Sequence, residues 1–86
     1  MIKMYTTPTC RDCTVTKLHL DRMGIGYTEI DITVDEAASE YVMSVNDGRR
    51  SVPTLVVDGA AVSLSRFERF RLDEFLSRHG LLPDPD

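Results

Sequence analysis

Short apolar runs separated by turn residues predict a small set of strands. Ile30 and Ile32 share one face of the second run, as expected for a half-buried strand. The Asp58-Gly59 pair between the last two runs is typical of a two-residue hairpin. The four predicted strands cover residues 2–6, 26–32, 55–57 and 60–63.

Longer segments with helical spacing lie between these runs. The first predicted helix extends from about Arg11 to Met23, and Gly24 follows at the usual C-terminal position. Its apolar residues do not form one continuous stripe, so the pattern leaves open which side faces the core. One side carries Cys13, Thr16, Leu20 and Met23, while Val15 and Leu18 lie elsewhere.

A second helix is predicted after Asp35 or Thr33, because either side chain can accept hydrogen bonds from the first free N–H groups of a helix. It continues to about Val45, and the Asn-Asp-Gly sequence at residues 46–48 ends it. The apolar side of this helix carries Ala38, Tyr41, Val42 and Val45.

A third helix is predicted near the C-terminus. Ser65, followed three residues later by Glu68, resembles a capping box, and the helix is expected to stop near Gly80. Its buried side is expected to contain Phe67, Phe70 or Phe75, together with Leu76.

The order of these elements predicts one α/β domain. A strand-helix-strand start requires a parallel pair with a right-handed crossover, and a hairpin followed by a helix adds antiparallel strands. The β-α-β-α-β-β-α order therefore indicates a thioredoxin-like fold, with a four-stranded mixed sheet flanked by three helices. Residues 1–86 are expected to form this single domain, with a disordered tail at residues 83–86.

Composition and charge restrict the possible partners. A net charge of -4 over 86 residues argues against nucleic acid as a partner, since phosphate binding requires a basic face. No apolar stretch is long enough to span a bilayer and the first residues lack a signal-peptide core, so we expect a cytoplasmic protein with no membrane partner. Local arginines form either a solvated rim or a patch that steers an anionic thiol or an acidic partner. They are Arg49, Arg50, Arg66, Arg69 and Arg71.

The most informative chemical feature is Cys10-Arg11-Asp12-Cys13, which contains the only two cysteines of the chain. Thiols at this spacing can close a small disulfide ring and reopen it, so the motif predicts redox chemistry near a βαβ unit. A zinc site would need two more ligands, for which only His19 and His79 are available, and we expect no metal.

The position of the motif predicts different roles for the two sulfurs. If the helix begins at Arg11, Cys10 is its N-cap, where free N–H groups and the helix dipole favour a thiolate. Cys13, one turn later, is more shielded; Cys10 is therefore expected to attack and Cys13 to resolve the mixed disulfide. Arg11 should favour and Asp12 oppose ionisation of Cys10, but both are expected to be exposed and screened.

A second feature is Ser51-Val52-Pro53-Thr54, just before an apolar strand. Proline cannot donate to a central ladder, so its position requires a reason. One interpretation is an ordinary proline at the start of a strand. The other is a cis Val52–Pro53 bond that exposes the backbone of Val52 for pairing with an extended thiol peptide beside Cys10. The presence of the two cysteines favours the second.

Two sets of residues carry a resemblance to a known family, and together they span about residues 2–79. One set is Tyr5-Thr6-Thr7-Pro8-Thr9-Cys10, Cys13-Thr14, Leu20-Asp21, Gly24-Ile25, Tyr27 and residues 38–43. It resembles the NrdH-redoxin branch of the glutaredoxin family, whereas residues 45–54 resemble a mycoredoxin or glutaredoxin. The resemblance implies a thioredoxin fold, a cis-proline at Pro53, and thiol–disulfide exchange through Cys10 and Cys13.

The chain also departs from both branches. It has no tryptophan, which redoxins that serve ribonucleotide reductase carry, and it lacks the Gly-Gly pair typical of glutathione-binding glutaredoxins. The electron donor is therefore left open between a low-molecular-weight thiol (mycothiol or glutathione) and thioredoxin reductase, with no bound cofactor. Protein disulfides are the expected substrates, and ribonucleotide reductase is an alternative partner.

The sequence thus predicts a monomeric, glutaredoxin-like disulfide reductase. Cys10 is the candidate nucleophile and Cys13 the candidate resolving cysteine. The candidate substrate-binding residues are Pro8, Arg11, Arg50, Val52, Pro53 and Thr54. Two alternatives are a monothiol mechanism that removes mycothiol or glutathione from proteins through Cys10 alone, and a non-catalytic interaction module with the same fold.

Overall fold

The computed structural model describes residues 1–82, so the tail expected at residues 83–86 lies outside the described residues. Residues 1–82 form four strands and three helices in the predicted order. These are β1 (Ile2–Thr6), α1 (Arg11–Arg22), β2 (Tyr27–Asp31), α2 (Glu36–Val45), β3 (Thr54–Val57), β4 (Ala60–Ser63) and α3 (Arg69–Arg78). Within this part of the chain, no helix has the length and apolar character needed to cross a membrane.

The strands form one mixed sheet in the order β2-β1-β3-β4. β1 pairs in parallel with β2 and antiparallel with β3, and β3 pairs antiparallel with β4. Asp58 and Gly59 connect β3 to β4 with φ angles of 49° and 83°, as a two-residue hairpin turn of this hand requires. The predicted thioredoxin-like arrangement is confirmed.

The two faces of the sheet carry separate apolar clusters, because side chains alternate along each strand. On one face, Met4 and Leu55 pack with residues of α1 and α3. On the other, Tyr5 and Val56 pack with residues of α2. Burial raises the pKa of the Tyr5 phenol, and the neighbouring Tyr41 and Asp35 add to this effect. The central strands are therefore covered on both sides.

The structure decides the orientation of α1, which the sequence pattern left open. Cys13, Thr16 and Leu20 are its buried residues. Its C-terminal turn has the Schellman pattern, since the N–H of Ile25 donates to the carbonyl of Leu20 at 3.0 Å. The side of α1 that contains Cys13 therefore faces the sheet.

For α2, the structure selects Asp35 as the N-cap, because a carboxylate oxygen of Asp35 accepts from the N–H of Ala38 at 3.0 Å. Ala38 and Val42 are buried as predicted, and Tyr41 packs at 5.4 Å, centroid to centroid, from the ring of Tyr5. Val45, placed on the same apolar side, is 40% exposed and therefore contributes less to the core than its position in the pattern suggested.

For α3, the predicted capping box at Ser65 is wrong. The helix begins at Arg69, its N-cap is Glu68, and no side chain caps it. Arg66 adopts a left-handed backbone with φ of 76°, which interrupts any helix that would start at Ser65. The buried residues are Leu72, Phe75 and Leu76, whereas Phe70 is 73% exposed and Phe67 only partly buried.

Leu20 and Leu18 on α1 provide a matched test of this packing. Leu20 is fully buried and Leu18 is 49% exposed. We expect Leu20→Ala to lower the free energy of unfolding by about 2–5 kcal/mol, because it removes core contacts and leaves a cavity. Leu18→Ala should change it by less than about 0.5 kcal/mol. Urea denaturation followed by circular dichroism measures both, and equal losses would contradict the assigned orientation of α1.

Candidate active site

The two cysteines lie where the connection from β1 enters α1. Cys10 is the N-cap, with extended backbone angles, and its Sγ accepts a hydrogen bond from the N–H of Cys13 at 2.9 Å. The sulfurs of Cys10 and Cys13 form a disulfide, with the two Cα atoms 5.2 Å apart. This separation lies within the usual range for a disulfide, so the backbone at the helix start accommodates the ring.

The two sulfur-bearing residues differ in exposure. Cys13 is 2% exposed and belongs to the buried side of α1, while Cys10 is only half-buried. A disulfide partner from outside therefore reaches Cys10 more readily than Cys13. Thiol–disulfide exchange requires direct access to the attacked or attacking sulfur, so this difference separates the two residues chemically.

The two residues between the cysteines were both expected to be exposed, but only one of them is. Arg11 is exposed and forms no ion pair within residues 1–82. Asp12 is half-buried, and its two carboxylate oxygens accept from the N–H groups of Arg66 and Phe67 at 3.0 and 3.2 Å. The expectation that Asp12 is exposed was wrong. The sequence around Asp12 could not indicate these hydrogen bonds, because the two donors lie more than 50 residues later, in the connection before α3.

The Val52–Pro53 segment lies at the same edge of the sheet as the cysteine loop. Tyr5 of β1 pairs with Thr54 of β3, so the residue before Thr54 lies next to the end of β1. The Val52–Pro53 peptide bond is cis, and the Pro53 carbonyl accepts from the N–H of Leu64 at 2.9 Å. Val52 is half-buried, and its N–H and carbonyl form no hydrogen bond with any other residue of the described chain.

Thr54 has a structural position that the sequence did not indicate. It is fully buried, and its hydroxyl donates to the carbonyl of Ser51 at 2.7 Å and accepts from Asn46 Nδ2 at 3.1 Å. The hydroxyls of Ser51 and Ser63 also contact each other. Through Ser51, the buried Thr54 side chain holds the residues that precede it in place. It does not reach the surface, where a substrate-binding side chain would have to lie.

A groove of about 390 Å³ opens beside the disulfide. Pro8, Cys10 and Cys13 line it, as do Lys17 and Glu29, which the sequence reasoning missed. Lys17 Nζ lies 3.1 Å from Glu29 Oε2, and the Thr6 hydroxyl donates to the same oxygen at 2.9 Å. Lys17 could have been found from its position one turn after Cys13. Glu29 required the register that pairs it with Met4.

The arginines are divided between different surfaces. Arg50 lines a groove with Ile32 and Ser39 that is separate from the groove lined by the cysteines. Arg49 and Arg71 line another groove, of about 380 Å³, next to Ser51. The structure therefore does not bring Arg50 together with Pro8 and the disulfide.

The histidines considered as zinc ligands are engaged elsewhere. His19 stacks on Phe67 with ring centroids 4.9 Å apart, and His79 packs against Phe75 at 4.7 Å. Among residues 1–82, no group of three or more histidine, cysteine and acidic side chains is arranged to hold a metal ion.

Comparison with known sequences identifies relatives of this chain. A family model described as Glutaredoxin matches residues 2–62. A Mycobacterium tuberculosis protein named as a glutaredoxin is 41% identical over 63 residues, which are 72% of this chain and 75% of the relative. Mycoredoxin 1 of Corynebacterium glutamicum is 44% identical over 54 residues, which are 63% of this chain and 66% of the relative.

Solved structures show the same similarity. The crystal structure of the thioredoxin-like protein BC3987 has a TM-score of 0.74 at 33% identity, covering 88% of this chain and 100% of that chain. NrdH-redoxin from Escherichia coli has a TM-score of 0.72 at 24% identity, covering 98% and 97%, and supports the fold. With a matching family model over most of its length and the cysteine pair at the start of α1, the chain belongs to the glutaredoxin family of thiol–disulfide oxidoreductases.

Proposed function

We propose that this protein reduces protein disulfides and mixed disulfides by a dithiol cycle, with Cys10 as nucleophile and Cys13 as resolving cysteine. The observation that carries the proposal is the contrast in exposure between the two. Cys10 is a half-buried N-cap, whereas Cys13 lies behind it and is 2% exposed. A substrate disulfide can approach Cys10 while Cys13 stays within reach of the same sulfur.

The cycle transfers two electrons from the dithiol to the substrate. The Cys10 thiolate attacks one substrate sulfur, forms a mixed disulfide, and releases the other substrate sulfur as a thiolate. Cys13, after losing its proton, attacks the Cys10 sulfur; the Cys10–Cys13 bond forms and the second substrate thiolate leaves. The two protons lost by the cysteines balance those taken up by the products. Two electrons from an external thiol donor then reopen the disulfide.

The start of α1 stabilises the attacking thiolate. The Cys13 N–H points at the Cys10 sulfur, with 2.9 Å between nitrogen and sulfur. The positive end of the helix dipole adds to this hydrogen bond, and both favour the thiolate of a cysteine at this position. Arg11, exposed beside Cys10, adds a screened positive charge.

The backbone of Val52, held by the fully buried Pro53, forms the proposed substrate-binding surface together with Pro8, which lines the groove beside Cys10. The free backbone N–H and carbonyl of Val52 can pair with an extended substrate segment, as an unpaired strand edge does. Arg50 can bind a carboxylate of the substrate only if the substrate extends into the groove beside α2 that Arg50 lines.

Mycothiol is the proposed electron donor, because the relatives of this chain include a mycoredoxin. Glutathione and thioredoxin reductase are the alternative donors, and ribonucleotide reductase is an alternative acceptor of electrons. We further propose that residues 1–86 act as one monomeric domain in the cytoplasm, where a reducing environment keeps the pair in its dithiol form.

Serine substitutions of the two cysteines test the order of attack. Cys10→Ser should abolish turnover with every disulfide, because no accessible thiolate remains. Cys13→Ser should stop turnover with protein disulfides after one event and accumulate a mixed disulfide, which intact mass spectrometry detects. Full turnover of Cys13→Ser with protein disulfides would contradict the dithiol cycle. Full turnover with protein–mycothiol mixed disulfides alone would favour the monothiol mechanism.

The pH dependence of alkylation tests the activation of Cys10. In the Cys13→Ser variant, the rate of reaction with iodoacetamide should rise at a lower pH than the rate for free cysteine, since the helix start favours the thiolate. Peptide mass mapping verifies that Cys10 carries the label. A midpoint at or above that of free cysteine would contradict the proposed activation.

A donor comparison tests the source of electrons. Reduction of one protein disulfide is measured with mycothiol, glutathione or thioredoxin reductase as the final donor. Turnover is expected with mycothiol and should be absent with Cys10→Ser as the matched control. Turnover with thioredoxin reductase alone would instead place the chain functionally with the NrdH-redoxins.

A further inference from the structure

Asp12 lies between the two cysteines but makes its hydrogen bonds far along the chain. Its Oδ2 accepts from the N–H of Arg66 at 3.0 Å, and its Oδ1 accepts from the N–H of Phe67 at 3.2 Å. Each carboxylate oxygen therefore has its own backbone donor. Consecutive N–H groups that converge in a turn form a site suited to an anion, and here the anion is a side chain of the protein itself.

The two donors belong to the connection between β4 and α3, residues 64–68, which needs support from outside. Arg66 has a left-handed backbone, with φ of 76°, that residues other than glycine adopt unfavourably. Glu68 is the N-cap of α3 but provides no side-chain hydrogen bond to the helix. The Asp12 carboxylate thus accepts from two N–H groups of this connection, where the sequence suggested a capping box, and the Ser63 hydroxyl accepts from a third, that of Ser65, at 3.4 Å.

The 64–68 connection is also attached to the proposed substrate-binding surface. At its start, the N–H of Leu64 donates to the carbonyl of Pro53 at 2.9 Å. At its other end, the ring of Phe67 stacks on His19, two helical turns after Asp12 on α1. One short segment therefore contacts both the helix that carries the cysteines and the proline segment beside them.

We propose that Asp12 is a positioning residue: it holds the 64–68 connection against the first turn of α1 and so keeps the Val52–Pro53 segment in place relative to Cys10. The proposal rests on the proposed role of Cys10 and of the Val52–Pro53 segment. Asp12 acts through the connection and does not itself contact the reacting sulfurs. The two N–H donors also offset part of its negative charge, which reduces its opposition to a thiolate at Cys10.

Two substitutions separate the effect of the hydrogen bonds from that of the charge. Asp12→Ala removes the charge and both acceptors. Asp12→Asn removes the charge but keeps one carbonyl oxygen as an acceptor. The pKa of Cys10 should therefore fall to a similar extent in both variants, whereas the 64–68 connection should loosen more in Asp12→Ala. Glu40→Ala, which removes an exposed carboxylate on α2, is the matched control.

Amide hydrogen exchange on the oxidised full chain, measured by NMR, tests the hydrogen bonds without any turnover. In Asp12→Ala, the amides of Arg66 and Phe67 should exchange about tenfold faster, as loss of the hydrogen bond that each makes implies. Asp12→Asn should have an intermediate effect, and the Leu20 amide in α1 should be unchanged in both. Unchanged exchange at Arg66 and Phe67 in Asp12→Ala would overturn the proposal.

Kinetics then distinguishes positioning from a purely structural role. The KM for a protein disulfide should rise several-fold in Asp12→Ala and less in Asp12→Asn, while kcat changes little, because binding at the Val52–Pro53 segment is what loosens. Faster exchange with an unchanged KM would overturn the positioning role. A failure of the dithiol cycle itself appears separately, as turnover that survives Cys10→Ser, and leaves the exchange result intact.

Discussion

The antiparallel pairing of β1 with β3 is the constraint on which the rest of the site depends. Tyr5 faces Thr54 across this pair, so the end of β1 and the start of β3 lie at one edge of the sheet. The connection that carries Cys10 follows the end of β1, and the Val52–Pro53 segment directly precedes the start of β3. Apolar clusters on both faces stabilise this register, because a shift by one residue would exchange their buried side chains.

The position of the cysteines at a helix start gives one motif two chemical environments. Cys10 remains outside the helical turn and receives the Cys13 N–H, while Cys13 lies on the side of α1 that faces the sheet. The orientation of α1, which Leu20 anchors in the core, thus determines the difference in access that a dithiol cycle requires.

Several polar residues near the site maintain its shape rather than contact a substrate. Thr54 and Asn46 form buried hydrogen bonds behind the proline segment. Asp12 accepts from two backbone donors in the 64–68 connection, and Pro53 accepts from Leu64 in the same connection. These contacts link the start of α1, the end of α2, the start of β3 and the connection after β4. Such buried or half-buried hydrogen bonds are costly to leave unpaired, so they restrain the connections that surround the cysteines.

The sequence by itself determined the order of the elements, the mixed sheet, the cysteine pair at a helix start and the turn at Asp58-Gly59, because these follow from local spacing and backbone preference. Only the tertiary structure decided which side of α1 is buried, that Thr54 is buried, that Arg50 lines a different groove from the cysteines, and that Asp12 accepts hydrogen bonds from the segment before α3. These outcomes depend on residues far apart in the chain. The physical reason is that strand register and helix packing, rather than neighbouring residues, determine which groups meet across the sheet.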